Sequence, residues 1–149
     1  MRNDPMTSGN SSCNCRAISR SEDGGETWSP VTFDESLVDS ICEASITRVG
    51  NVTVFFNPAM KHARNQPTLR FSKDYGMTWS KSVLVADAFS DYSAMVREPL
   101  KRYGDGKVGG LVWGSCTHPL PFRVWCTPVE ALHSTFWTVL WTPFDVPVL

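Results

Sequence analysis

At 149 residues, with 42% apolar and 11% aromatic content, the chain can bury a sizeable core, which excludes an extended or disordered polypeptide. A formal net charge of −1 without any Lys/Arg stripe leaves no electrostatic footprint for nucleic acid, so no such partner is expected. No apolar run approaches the roughly 20 residues of a membrane-spanning helix, and polar Arg2-Asn3-Asp4 follows Met1 directly, so neither a transmembrane segment nor a signal peptide is expected.

In chain order the elements read as short strands and turns, with no helix. Arg16 to Arg20 form a strand entering the turn Ser21-Glu22-Asp23-Gly24-Gly25-Glu26-Thr27-Trp28, which the chain leaves at Trp28. Pro30 and Ser36 to Ser40 mark a loop. Asn51 to Phe56 is a β-rich run ended by Asn57-Pro58, and Thr68 to Ser72 alternates polar and apolar residues into a second turn, Ser72-Lys73-Asp74-Tyr75-Gly76-Met77-Thr78-Trp79. Ser93 to Val96 and Val108 to Trp113 read as a hairpin around Tyr103-Gly104-Asp105-Gly106-Lys107, where Asp-Gly supplies the bend. Beyond Ser115, Pro119, Pro121, Pro128, Pro143 and Pro147 alternate with Trp125, Trp137 and Trp141 in neither period 2 nor period 3.6. Two readings stay open for this tail: an irregular terminal strand and loop, or a misread gene end never selected to fold.

The two turns share the pattern S-x-D-x-G-x-T-W, and Asp23 lies 51 residues before Asp74. Five specified positions including Trp match by accident at roughly one starting position in a million, so the recurrence marks a repeat about one four-stranded propeller blade long. The chemistry suits a hairpin clamp: Asp accepts turn N–H groups, Gly permits positive φ, Thr favours the following strand, and Trp anchors the turn to the sheet. Asp23 and Asp74 therefore read as structural rather than catalytic carboxylates. The motif has the shape of the Asp-box, which argues fold and not catalysis.

Five cysteines, Cys13, Cys15, Cys42, Cys116 and Cys126, contain no C-x-x-C pair, and no zinc or other metal site is expected, nor any cofactor. Their bland reading is buried or singly paired thiols, the alternative a partial disulfide set. Asn10-Ser11-Ser12 and Asn51-Val52-Thr53 are glycosylation sequons, which fit a secretory or lysosomal route. His62, His118 and His133 lack ligand spacing, and Glu43 and Glu98 read as surface residues.

In order along the chain come Cys13-Asn14-Cys15-Arg16, Ser19-Arg20-Ser21, Val31 to Asp39, Val54-Phe55-Phe56-Asn57-Pro58-Ala59, Arg64 before Thr68-Leu69-Arg70, and Asp91-Tyr92-Ser93. From about Arg2 to Trp113 this series resembles the exo-α-sialidases, most of all the animal lysosomal sialidase. The resemblance implies an all-β fold, a six-bladed β-propeller of which residues 1–113 would supply two to three blades with two Asp-box turns, residues 114–149 being a separate irregular tail. It implies removal of terminal α-linked sialic acid from glycoproteins, gangliosides and oligosaccharides, in a lysosomal or other secretory-pathway lumen, with or without membrane association. It also implies a protective carboxypeptidase partner.

The chemistry can be set beside that resemblance. Sialic acid carries a carboxylate on its anomeric carbon, and planar guanidinium forks bind carboxylates without losing charge. Arg64 and Arg2 match two of the family's three arginines; a match for the first is not present. A carboxylate nucleophile beside the substrate's carboxylate would be repelled, and sialidases use Tyr instead; Tyr92 matches it. The family's Tyr-activating Glu and its acid/base Asp lie upstream of the Arg2 position and have no counterpart, and Gly114 stands where an acidic residue usually follows the tryptophan matching Trp113. The chain is accordingly expected to be a roughly C-terminal-half fragment, inactive alone. Against these roles stand a half-buried strand tyrosine at position 92, a solvated loop arginine at 64, and a terminal arginine at 2. The alternative function is a non-catalytic Asp-box propeller module that binds.

Overall fold

The computed structural model describes residues 13–97, 108–117 and 136–145. Among them the chain forms nine strands and no helix: β1 Cys15–Ile18, β2 Thr32–Val38, β3 Ser45–Val49, β4 Val52–Pro58, β5 Pro67–Ser72, β6 Lys81–Leu84, β7 Ser93–Arg97, β8 Val108–Thr117 and β9 Phe136–Asp145. All pairings are antiparallel, in sheets ordered β1-β2, β3-β4-β5-β6 and β7-β8-β9.

The β-rich run at 51–56 becomes β4, buried along its whole length because strands flank it on both edges and side chains cover both faces. Val52, Val54 and Phe56, two residues apart, share one face. Opposite them in register, Phe71 pairs with Val54 and Leu69 with Phe56. With Val49 these form the core, closed over by Val85, Ala86 and Met95. The Met95 N–H donates to Ser45 Oγ at 2.8 Å, tying β7 to β3.

Both repeat turns are built alike. Ser21 Oγ accepts from Gly25 N (2.8 Å) and donates to Asp23 Oδ1 (2.7 Å), while Asp23 accepts from Thr27 N and the Thr27 hydroxyl. In the second turn Ser72 Oγ and Asp74 make the same bonds to Gly76 N, Thr78 N and the Thr78 hydroxyl. The shared glycine positions, Gly25 and Gly76, lie at φ 97° and 78°. The tryptophans differ. Trp79 packs against Phe55 with ring centroids 5.6 Å apart and donates to Asp34 Oδ2 at 3.3 Å. Trp28, expected to anchor its turn to the sheet, instead bonds back to Gly25 O at 2.9 Å and is 64% exposed.

Ser36, Leu37 and Val38, expected in a loop, belong to β2. Asp34 Oδ1 caps Ser36 N and its hydroxyl, throwing a bulge between the Arg16↔Asp34 and Cys15↔Val38 pairs that turns Leu37 inward to 2% exposure. The expected hairpin at 93–113 is present as β7 paired with β8, Ser93 opposite Trp113; its bend lies outside the described residues. β8 continues to Thr117, and β9, in the stretch that shows no sequence periodicity, pairs with it from Val108↔Asp145 to Thr117↔Phe136. Cys13 and Cys15 form a disulfide, and Cys42 is a buried free thiol.

Candidate functional site

Two loops bring the chemistry together. One joins β4 to β5 and carries Arg64; the other joins β6 to β7 and carries Asp91 and Tyr92. Ser90 N donates to Arg64 O at 2.9 Å, Gln66 N to Ala88 O at 3.1 Å, and Asn65 bridges Phe89, so the loops run side by side as a short ladder. That lacing fixes the reach of the side chains. The Arg64 guanidinium lies 5.7 Å from the Tyr92 ring centroid, and its Nη1 pairs with Asp91 Oδ1 at 2.6 Å.

Arg64 is one-third exposed, Tyr92 is 54% exposed, and Asp91 is buried beneath them. Under Asp91 the Cys42 thiol donates to the same Oδ1 at 3.5 Å; burial is the main cause that pushes this thiol up to about 11. Partial burial opposes the Arg64 charge, but Cys42, Asp91 and Tyr92 outweigh it and raise the guanidinium above its ordinary value. Two residues flanking the cluster sit in the left-handed region, Ile41 at φ 58° and Gln66 at φ 56°. For β-branched Ile41 this is strain of about 1–3 kcal/mol, held by its N–H bond to Asp39 Oδ1.

The sequence-derived site is thus partly assembled: Arg64 and Tyr92 meet, while Arg2 lies outside the described residues. Glu98, His118 and His133 also lie outside them; His62 and Glu43 are exposed. Asp23 and Asp74 spend their oxygens on their own turns. Hydrogen bonds from the threonine hydroxyl, the threonine N–H and the serine hydroxyl hold both carboxyls well below the usual range. Among the described residues no group of three His, Cys, Asp or Glu could hold a metal. Sequence reasoning missed the Asp91–Arg64 pair and the Cys42 contact; its available signal was the acidic residue directly before Tyr92.

A cleft of about 390 Å³ among the described residues lies elsewhere, between β1 and the second turn, lined by Arg16, Arg20, Glu43, Phe55, Tyr75 and Trp79 among others and by neither Arg64 nor Tyr92. Arg20 spans its rim, donating to Tyr75 O and Gly76 O at 3.1 and 2.7 Å. The Arg64–Tyr92 ledge, outside that lining, is partly exposed at both residues.

A sialidase from Micromonospora viridifaciens is 34% identical to this chain over 99 residues, covering 60% of the chain and 15% of that protein. Over that stretch the chain is similar to this sialidase. The solved structure of Hadza microbial sialidase Hz136 superposes with a TM-score of 0.51 at 24% identity, over 68% of this chain and 21% of that one. This likeness concerns fold alone: all-β, with antiparallel sheets arranged as in part of a β-propeller. The chain spans 15% of the length of the first relative and 21% of the second. No protein-family model matches it. Among the described residues no helix is long and apolar enough to cross a membrane.

Proposed function

We propose that the Arg64–Tyr92 ledge is part of an exo-α-sialidase site, Arg64 binding the carboxylate of a terminal α-linked sialic acid, with Arg2, and Tyr92 standing at its anomeric carbon. The observation that carries this is a guanidinium held 5.7 Å from the ring of a half-exposed tyrosine by two laced loops. An arginine fork supplies the countercharge for a carboxylate, and a phenol supplies a nucleophile that the carboxylate does not repel. In turnover the phenolic oxygen would bond to the anomeric carbon as the glycosidic bond breaks and the aglycone takes a proton; water would then release the sugar. Tyr92 needs a base and the aglycone an acid. Asp91, the carboxylate directly before it in the chain, faces Arg64 and so is already engaged. The 149-residue chain therefore acts as a sialoside-binding part of a longer catalytic assembly, on the glycoproteins, gangliosides and oligosaccharides of a lysosomal or secretory lumen. A carboxypeptidase partner belongs to the same reading.

Titration of N-acetylneuraminic acid into the chain should show saturable binding, weakened by about tenfold or more in Arg64→Ala from loss of a charge-assisted pair. A fluorogenic sialoside should not turn over. Binding indifferent to Arg64→Ala would remove the carboxylate role, and turnover abolished by Tyr92→Phe would show the chain complete as an enzyme. The position of the 390 Å³ cleft away from Arg64 favours the second reading, a non-catalytic propeller module, which that indifference would support.

A further inference from the structure

We infer that Asp91 is an internal carboxylate that occupies one arm of the Arg64 fork and competes with the carboxylate of any incoming ligand, making this residue a determinant of how strongly the ledge takes anions. The inference rests on the carboxylate-binding reading of Arg64, and one of its tests does not.

Three observations carry it. Asp91 Oδ1 sits 2.6 Å from Arg64 Nη1, the distance of a strong charge-assisted bond and the one a bound carboxylate oxygen would take up. Asp91 is held there: it is buried, it follows Ser90, whose N–H bonds to Arg64 O, and the Cys42 thiol contacts the same oxygen from below. Arg64 is one-third exposed beside Tyr92, so a ligand carboxylate reaching it finds a guanidinium already paired with a fixed anion. The ligand must then share the fork at short range with a like charge, or displace a carboxylate whose neighbours resist rotation.

A merely supporting Asp would hold Arg64 in place, and its loss would weaken every ligand. A competing Asp makes the opposite prediction for anions alone. Asp91→Asn keeps the shape and can still accept a bond from Arg64 while removing the charge. In the full chain, Asp91→Asn should bind N-acetylneuraminic acid about tenfold more tightly than wild type, with little change for its uncharged methyl ester. The double variant Arg64→Ala/Asp91→Asn should lose the gain. Asp91→Ser, checked like the others for a native circular dichroism spectrum, gives the same comparison should the amide fold poorly. Independently of any sugar, the rate at which phenylglyoxal labels Arg64, followed by peptide mass mapping, should rise severalfold in Asp91→Asn.

Faster labelling without sialic acid binding in any variant leaves the occupied fork standing and removes the sialoside reading. Unchanged labelling, or acid and ester affected alike, overturns the inference.

Discussion

At the scale of single residues, the same carboxyl chemistry does two different jobs. Asp23 is an exposed and Asp74 a half-exposed acid whose oxygens face their own turn N–H and hydroxyl groups, and Asp91 is a buried acid that faces a guanidinium. The turn acids titrate below their ordinary value of 3.8 in the folded chain, with the threonine hydroxyl the largest cause. On acidification the unfolded chain therefore takes up these protons first. The stability they supply is complete above about pH 4 and drains away as pH falls from there toward the lower folded values. Thermal melts from pH 5 down to pH 2 should show a falling midpoint in wild type, and a shallower fall in Asp23→Asn/Asp74→Asn. Parallel slopes would mean that the acids contribute nothing to the acid limb.

At the scale of elements, polar groups help to fasten the β1-β2 hairpin to its surroundings, beside the packing of Arg16 over Phe55. Arg16 pairs with Asp39 at 3.4 Å, both buried, and donates to Glu43 O; Asn57 Nδ2 donates to Val38 O at 2.6 Å; Arg20 clasps the second turn. Asp39 also accepts from the Ile41 and Cys42 N–H groups, so it shapes the strained bend below Asp91. Replacing Asp39 by Ala strips a buried guanidinium of its carboxylate and should cost about 3–5 kcal/mol in urea unfolding. A loss under about 1 kcal/mol would assign the fastening to packing instead. Little of this was legible in sequence. The repeat turns were, because their bonds span four residues or fewer, as Ser21 to Gly25 and Asp74 to Thr78 do. The fates of Trp28 and Trp79 were not: their motifs are the same, and the difference is whether Phe55 and Asp34 arrive from elsewhere in the chain. Arg64 and Tyr92 could be marked by resemblance, but the Arg64–Asp91 pair joins residues 27 apart and depends on how two loops register.

At the scale of the whole molecule, one apolar cluster of the described core belongs to a single sheet, while Cys15, Ala17 and Leu37 of the ribbon are buried outside it. Val49, Val52, Val54, Phe56, Leu69 and Phe71 all lie on β3, β4 and β5, whereas β6 is exposed along its length and β1-β2 is a two-stranded ribbon. A two-stranded ribbon is marginal by itself, and an exposed edge strand gives up its hydrogen bonds to water readily. The candidate site straddles this gradient. Arg64 and Tyr92 sit on loops at the end of the rigid sheet, and Cys42 below them hangs from the segment leading out of β2. Opening should therefore begin in the ribbon and loosen the floor under Asp91 before the core yields. Hydrogen exchange read by mass spectrometry should find the amides of 52–58 and 67–72 slowest, those of 81–84 and 15–18 faster by an order of magnitude or more. Adding Asp39→Ala should accelerate exchange in 15–18 and 32–42 while sparing 52–58. If that variant instead accelerates every strand equally, the ribbon and the sheet open as one cooperative unit, and the polar fastening is part of the core rather than a hinge beside it.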